Sequence, residues 1–208
     1  MRRSIKDAME RARQLPVLIA HGIWDSERRI ESLTRGLLAR GIDHVRAFTF
    51  RPRDGSAPLA TLARQVEQRV DQLCEEHAVE QVDLVGFSMG ALTSRYYIQR
   101  LGGRERVRRF ISISGPHHGT LMAYGLPLDG VRDMRPGSGL IRDLERDVDP
   151  WSRVEVHVIY TPFDLTIMPA HSSRLPGARS THSIPVALHR WMIRDPRVVE
   201  LTARLLRE

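Results

Sequence analysis

The chain has 208 residues, 41% of them apolar and 27% charged, a composition that suits a globular domain with a hydrophobic core and excludes a fibrous or disordered chain. Its one cysteine, Cys74, excludes an internal disulfide, and no apolar run reaches the roughly 18–20 residues that a membrane-crossing helix needs. The formal charge of +7 comes almost wholly from arginine spread among acids, as in Asp25-Ser26-Glu27-Arg28-Arg29, without interleaved stacking aromatics; this argues against nucleic acid, while the surplus can still draw the chain to an anionic lipid surface or an acidic partner.

Residues 1–15 are basic but carry no apolar h-region, so they read as an amphipathic helix (Ile5, Ala8, Met9, Ala12, Leu15) and not as a secretory signal, and a cytoplasmic location is expected. Pro16–Ala20 is a compact apolar run, expected as a buried strand. Ser26–Arg40 has Ile30, Leu33, Leu37 and Leu38 at helical spacing, with Asp25 or Ser26 to cap it and Gly41 to end it. His44–Phe50 follows as a strand, Leu59–Ala78 as a helix, Gln81–Phe87 as a strand and Met89–Leu101 as a helix. Val107–Ser114 and Val154–Tyr160 are further strands, and a weaker sixth lies within Arg179–Val186. Asp195–Leu206 is a last amphipathic helix. Strands alternating with helices predict one α/β domain over residues 1–208, a mostly parallel sheet of about six strands with helices on both faces. Gly119–Asp149 is long for a connection and rich in glycine and proline; one or two short helices over the sheet edge, a small cap or lid, are expected there.

Gly86-Phe87-Ser88-Met89-Gly90 matches G-x-S-x-G between an apolar strand and a helix, the setting in which a sharp turn lifts a serine hydroxyl above the sheet. The glycines remove side chains that would clash where strand and helix close on each other. Ser88 is thus the candidate nucleophile. Acyl transfer also needs donors for a developing oxyanion. The backbone N–H of Met89 is one candidate. The loop His21-Gly22-Ile23-Trp24 after the first strand offers the Ile23 N–H as the second. His21 suits bracing of that loop better than a role as base or zinc ligand. Trp24 is either a wall of an acyl pocket or core.

In the chain order of such sites the acid follows the nucleophile strand and the histidine comes last. Asp164, in Thr161-Pro162-Phe163-Asp164 after the fifth strand, is the candidate acid; Asp143, Asp147 and Asp149 precede that strand and fit less well. Of the nine histidines only His171, His182 and His189 follow Asp164. His189, between the last strand and the last helix, is the first choice as base and His182 the second. His117-His118 invites a metal reading, but adjacent histidines point apart and no carboxylate or cysteine completes a ligand set, so no metal site is expected. Trp24, Phe87, Met122 and Phe163, with Ile23, Met89, Leu121, Met134 and Ile167, either line an apolar substrate pocket or belong to core and rim.

Taken together, PVLIAHGIW, VDLVGFSMGAL, SISGPHHGT, VIYTPFDLTIMP and LHRWMIRDPRVVELTARLL resemble the oxyanion loop, nucleophile elbow, following loop, acid segment and histidine-then-helix ending of the bacterial lipase families of the α/β-hydrolase superfamily, in a compact form with little or no lid. The resemblance runs from about Pro16 to Leu206 and puts the base at His189. It implies an α/β-hydrolase fold and hydrolysis of carboxylic esters, small-molecule or lipid, through an acyl-enzyme and without a cofactor. Ala187 and Leu188 depart from it, since glycine is frequent before the histidine in such lipases. Transfer of the acyl group by an acyltransferase, cleavage of a thioester, and a non-catalytic binding role on the same fold are the alternatives.

Overall fold

A computed structural model describes residues 14–208; the helix expected over residues 1–15 falls, save its last two residues, outside them. Six strands, β1 (Val17–Ala20), β2 (Val45–Phe48), β3 (Val82–Phe87), β4 (Val107–Ile113), β5 (Glu155–Tyr160) and β6 (Ser180–Ser183), form one sheet. Every pairing is parallel, in the order β2-β1-β3-β4-β5-β6. Side chains alternate across a strand, so each central strand feeds two cores. Leu18, Ala20 and Leu84 enter one; Val17, Ile19, Val85 and Phe87 enter the other.

Helices cover both faces. α1 (Glu27–Leu38) and, near the C-terminus, Pro196–Arg207 bury Ile30, Leu33, Val198 and Leu205 on the Val17 side. α2 (Leu59–His77) and α3 (Met89–Arg100) bury Leu62, Val66, Leu92 and Tyr97 on the Leu18 side. The first pair pack very closely: a Cβ added to Gly36 would lie 2.6 Å from Val199 Cγ1. α4 (Gly103–Arg106) is a single turn before β4. The stretch 119–149 forms three short helices, one more than expected: a 3-10 turn at Leu121–Gly125, α5 (Asp129–Asp133) and α6 (Gly139–Leu144). The C-terminal helix Pro196–Arg207 is α7; Pro196 opens it, and Asp195 caps it by accepting the Arg197 N–H.

Some helix ends are satisfied from a distance. Ser26 stands at the N-cap of α1 but makes no side-chain cap bond; the Glu27 N–H instead donates to Thr49 Oγ1 at 3.2 Å. At α2 the Leu59 N–H donates to Asp133 Oδ2 at 2.8 Å, so a carboxylate from α5 sits at a helix N-terminus, where the dipole favours it. The same segment is fastened by Gly130 N–H to Gly55 O at 3.0 Å and Thr120 N–H to Met134 O at 2.8 Å.

Winding changes direction at β1: β2 lies on one side of it and β3 on the other. In parallel sheets the crevice at such a switch point, beyond the carboxyl ends of the strands, is where sites form. The loops after β1 and β3 carry His21–Asp25 and Ser88. Among the described residues no helix is long and apolar enough to cross a membrane.

Candidate active site

Ser88 joins β3 to α3 with φ 55° and ψ −125°, a conformation that a residue with a Cβ adopts only under constraint. The constraint is visible. The Ser88 N–H donates to Ile113 O of β4 at 2.9 Å. A Cβ on Gly86 would lie 2.5 Å from Ala91 Cα, which is the expected clash between strand and helix. Gly90 differs from expectation: a Cβ there would meet His21 O at 2.5 Å, so this glycine lets α3 approach the end of β1.

The loop after β1 is braced by its histidine. His21 Nε2 accepts the Phe50 N–H at 3.0 Å, so the proton sits on Nδ1, which donates to Gly22 O at 2.7 Å. Burial lowers the pKa of His21 and favours this neutral form. With both nitrogens engaged, His21 has no role as base or ligand. Gly22 abuts the serine; a Cβ on it would lie 3.0 Å from Ser88 Cβ. The Trp24 N–H donates to Arg53 O at 2.7 Å and the Asp25 N–H to Gly22 O at 3.3 Å. Neither the Ile23 N–H nor the Met89 N–H has an acceptor among the described residues. For Met89 the reason is its place as first residue of α3.

Asp164 is buried, and its two oxygens are divided in use. Oδ1 accepts the N–H groups of Thr166 at 2.9 Å and Ile167 at 2.8 Å. Oδ2 lies 2.7 Å from Nδ1 of His189, which opens a short 3-10 turn at His189–Trp191. The imidazole stacks on Phe87, the neighbour of Ser88, with centroids 4.9 Å apart and planes at 28°. His189 Nε2 is buried and has no hydrogen-bond partner among the described residues. The structure therefore brings Asp164 and His189 together beside the serine turn. His182 lies in β6 and bonds Ser180 Oγ at 2.8 Å, and His171 is exposed on a 3-10 turn.

Two residues that sequence reasoning missed shape this arrangement. The Thr161 hydroxyl donates to Val186 O at 2.7 Å and accepts the Val186 N–H at 3.1 Å, which ties the acid loop to the chain leading into His189. Asp25, read only as a helix cap, points back at the loop: its Oδ2 would lie 3.2 Å from a Cβ on Gly22. Burial holds its carboxyl above the usual carboxylate range, while His21, Arg29 and His189 pull it down. A threonine or an aspartate at such a position carries no local signal, because its partners come from other loops.

His117 and His118 do point apart. His117 is fully buried, 2.6 Å from Ser112 Oγ, and desolvation holds its pKa well below the ordinary imidazole value. His118 Nδ1 lies 2.6 Å from Glu145. Among the described residues no group of three or more His, Cys, Asp or Glu side chains is placed to hold a metal ion. The expected apolar pocket residues divide into two sets, with the half-buried Ile23 between them. Phe87, Met89, Met134 and Ile167 are buried, and Phe87 supports the imidazole while offering little surface to a ligand. Trp24, Leu121, Met122 and Phe163 are at least half exposed on the rim.

Comparison with known proteins agrees with this frame. The chain is similar to a Bacillus licheniformis lipase in its mature form, with a TM-score of 0.78 at 15% identity over 93% of this chain and 92% of that one. It is also similar to Aspergillus fumigatus lipase B, with a TM-score of 0.80 at 17% identity over 94% of this chain and 53% of that one. At such identities the likeness shows the fold alone, that of the α/β-hydrolases. A triacylglycerol lipase of Pseudomonas fragi is 29% identical over 120 residues, 54% of this chain, and the match spans only 38% of that lipase's length. The model of the palmitoyl protein thioesterase family matches residues 16–163, from the residue before β1 to the residue before Asp164. The chain belongs to the palmitoyl protein thioesterase family of hydrolases.

Proposed function

We propose that this protein hydrolyses carboxylic esters of apolar acyl groups through an acyl-enzyme on Ser88. The observation that carries the reading is His189, held by Asp164 on one nitrogen, with its buried Nε2 unpartnered and its ring stacked against the residue that precedes a strained serine. Asp164 fixes the tautomer with the proton on Nδ1, so Nε2 is the basic nitrogen. It takes the Ser88 hydroxyl proton as Oγ attacks the ester carbonyl. The negative charge that moves onto the carbonyl oxygen is met by the N–H groups of Met89 and Ile23, neither of which has another acceptor among the described residues. The imidazolium then returns its proton to the leaving alkoxide, and the acyl group stays on Ser88. Water, deprotonated by the same nitrogen, releases the acid and restores the serine. No metal or cofactor enters these steps.

The exposed apolar side chains Trp24, Met122 and Phe163 stand on loops beside this machinery and support an acyl chain as the group recognised. Small-molecule and lipid esters both fit that description. A thioester is the second reading, favoured by the family to which the chain belongs. The chemistry is the same with a thiolate as leaving group. Turnover of p-nitrophenyl esters from acetate to palmitate, beside palmitoyl-thioester cleavage, tests both readings. Turnover of either by wild type but not by Ser88→Ala supports the reading, and the ratio of kcat/KM values decides between ester and thioester. Equal inertness of wild type and variant toward all of them overturns it.

A further inference from the structure

We infer that the carboxyl edge of the sheet is also a docking face for lipid bilayers that carry anionic headgroups. This goes beyond the hydrolytic reading and does not depend on it.

Because all six strands are parallel, the loops that follow β1, β4, β5 and β6 emerge on one edge. Each presents large apolar side chains to solvent: Trp24 after β1, Leu121 and Tyr124 after β4, Leu165 after β5 and Trp191 after β6. Their exposures run from 46% to 71%. Single exposed apolar residues are ordinary on a protein surface, but five on the loops of one edge mark an interaction surface. The 3-10 turn at Leu121–Gly125 is amphipathic on a small scale: Ala123 is buried, while Leu121, Met122 and Tyr124 point out. It is also fastened. Thr120 Oγ1 donates to Thr166 O at 2.7 Å, and the Leu121 N–H donates to Met168 O at 2.9 Å. The apolar tip is thus held outward.

The charge around this edge selects the partner. Arg28, Arg53, Arg190 and Arg194 are exposed at the start of α1, after β2 and around the 3-10 turn at His189–Trp191. None of the four has a carboxylate within 4 Å among the described residues, whereas nearby Asp25 and Asp195 are paired with Arg29 and Arg197. Glu27 and Asp54 are the exposed acids closest in sequence, and Asp54 is bonded to Ser56. Exposed apolar side chains and exposed guanidinium groups on the loops of one edge match an interface in which rings and aliphatic chains enter the acyl boundary and arginines meet phosphate.

Ser88→Ala provides a chain whose binding is measured without turnover. In co-sedimentation we expect about ten-fold or more stronger partition onto phosphatidylcholine–phosphatidylglycerol vesicles than onto phosphatidylcholine alone, with salt weakening it. Arg53→Glu with Arg190→Glu removes that preference, and Leu121→Ser with Tyr124→Ser lowers partition about ten-fold. Leu165→Ser, a change at the most exposed of these side chains, gives a smaller drop and stands in if the double variant does not fold. Tryptophan emission shifts to the blue on vesicles through Trp24 and Trp191 but not through buried Trp151. Equal partition onto both vesicle types, no partition, or variants that bind like their parent overturn the inference. Wild-type cleavage of a water-soluble butyrate ester is measured beside it: binding without cleavage defeats only the hydrolase reading, and cleavage without binding defeats only this one.

Discussion

The two ends of the sheet both bury ionisable groups, and they use them in opposite ways. At the amino ends Asp83 of β3 is enclosed between arginines: Arg108 donates two hydrogen bonds at 3.0 and 2.5 Å, and Arg109 lies at ion-pair distance, 3.9 Å. Arg109 goes on to Glu155 Oε2 at 2.9 Å and Leu206 O at 3.1 Å, so it joins β3, β4, β5 and α7. Burial pushes the Asp83 carboxyl up and the guanidinium groups pull it down. Nothing is left over for chemistry. At the carboxyl ends the polar groups are held just as closely but incompletely: Asp164 is full, His189 keeps one nitrogen free, and Ser88 sits in a strained backbone. A buried network whose atoms are all engaged serves the fold; one that leaves a single basic atom unused beside a strained serine backbone is what the proposed reaction needs.

That contrast is broken most sharply at Ser88. Ser88→Ala lowers kcat by about 10⁵- to 10⁶-fold, checked by ester turnover, while its unfolding free energy stays within about 1 kcal/mol of wild type. Asp164→Asn leaves the loops in place but disturbs the tautomer of His189, and costs about 10⁴-fold in kcat. Arg109→Met does the reverse: urea unfolding shows a loss of about 3–5 kcal/mol, with kcat of the folded fraction unchanged. Thr161→Val unties the acid loop from the segment before His189; kcat/KM falls up to about 10²-fold through misplacement, with a smaller loss of stability.

The smallest effect is on pH dependence. Desolvation lowers the pKa of His117, His21, His157 and His182 below the 6.5 of a free imidazole. In the window below 6.5 the unfolded chain binds more protons than the folded one, so stability is present above that value and is lost as pH falls. The limit is about 1.4 kcal/mol per pH unit for each such histidine. Urea titrations between about pH 7 and 5 read the slope, and His117→Asn flattens it, because this fully buried imidazole is the one that desolvation holds well below the ordinary value.

Most of the fold was legible in the sequence because its signals are local. The short apolar runs at Val17–Ala20 and Val82–Phe87 and the helical spacing of Leu62, Val66 and Val70 each identify one element without reference to another. The order of segments around Ser88, Asp164 and His189 was readable for the same reason. What escaped depends on neighbours remote in the chain. Thr49 serves the start of α1 in place of Ser26, Gly90 answers to the end of β1, and Phe87 turns its ring under His189. Thr161 and Asp25 gain their places only when separate loops meet at the switch point, and no periodicity announces that. The exposure of Trp24, Met122 and Phe163 was likewise hidden, since an apolar side chain on a loop reads alike as pocket, rim or core.

The central claim is that Ser88 is the atom acylated, with His189 as its base. Labelling with a fluorophosphonate followed by peptide mass spectrometry tests it most directly. The account predicts one adduct per chain on the peptide that contains Ser88, formed at least about 10³-fold more slowly in His189→Ala. Wild-type chain that turns over esters yet carries its adduct on another residue, or labels equally fast without His189, would contradict it.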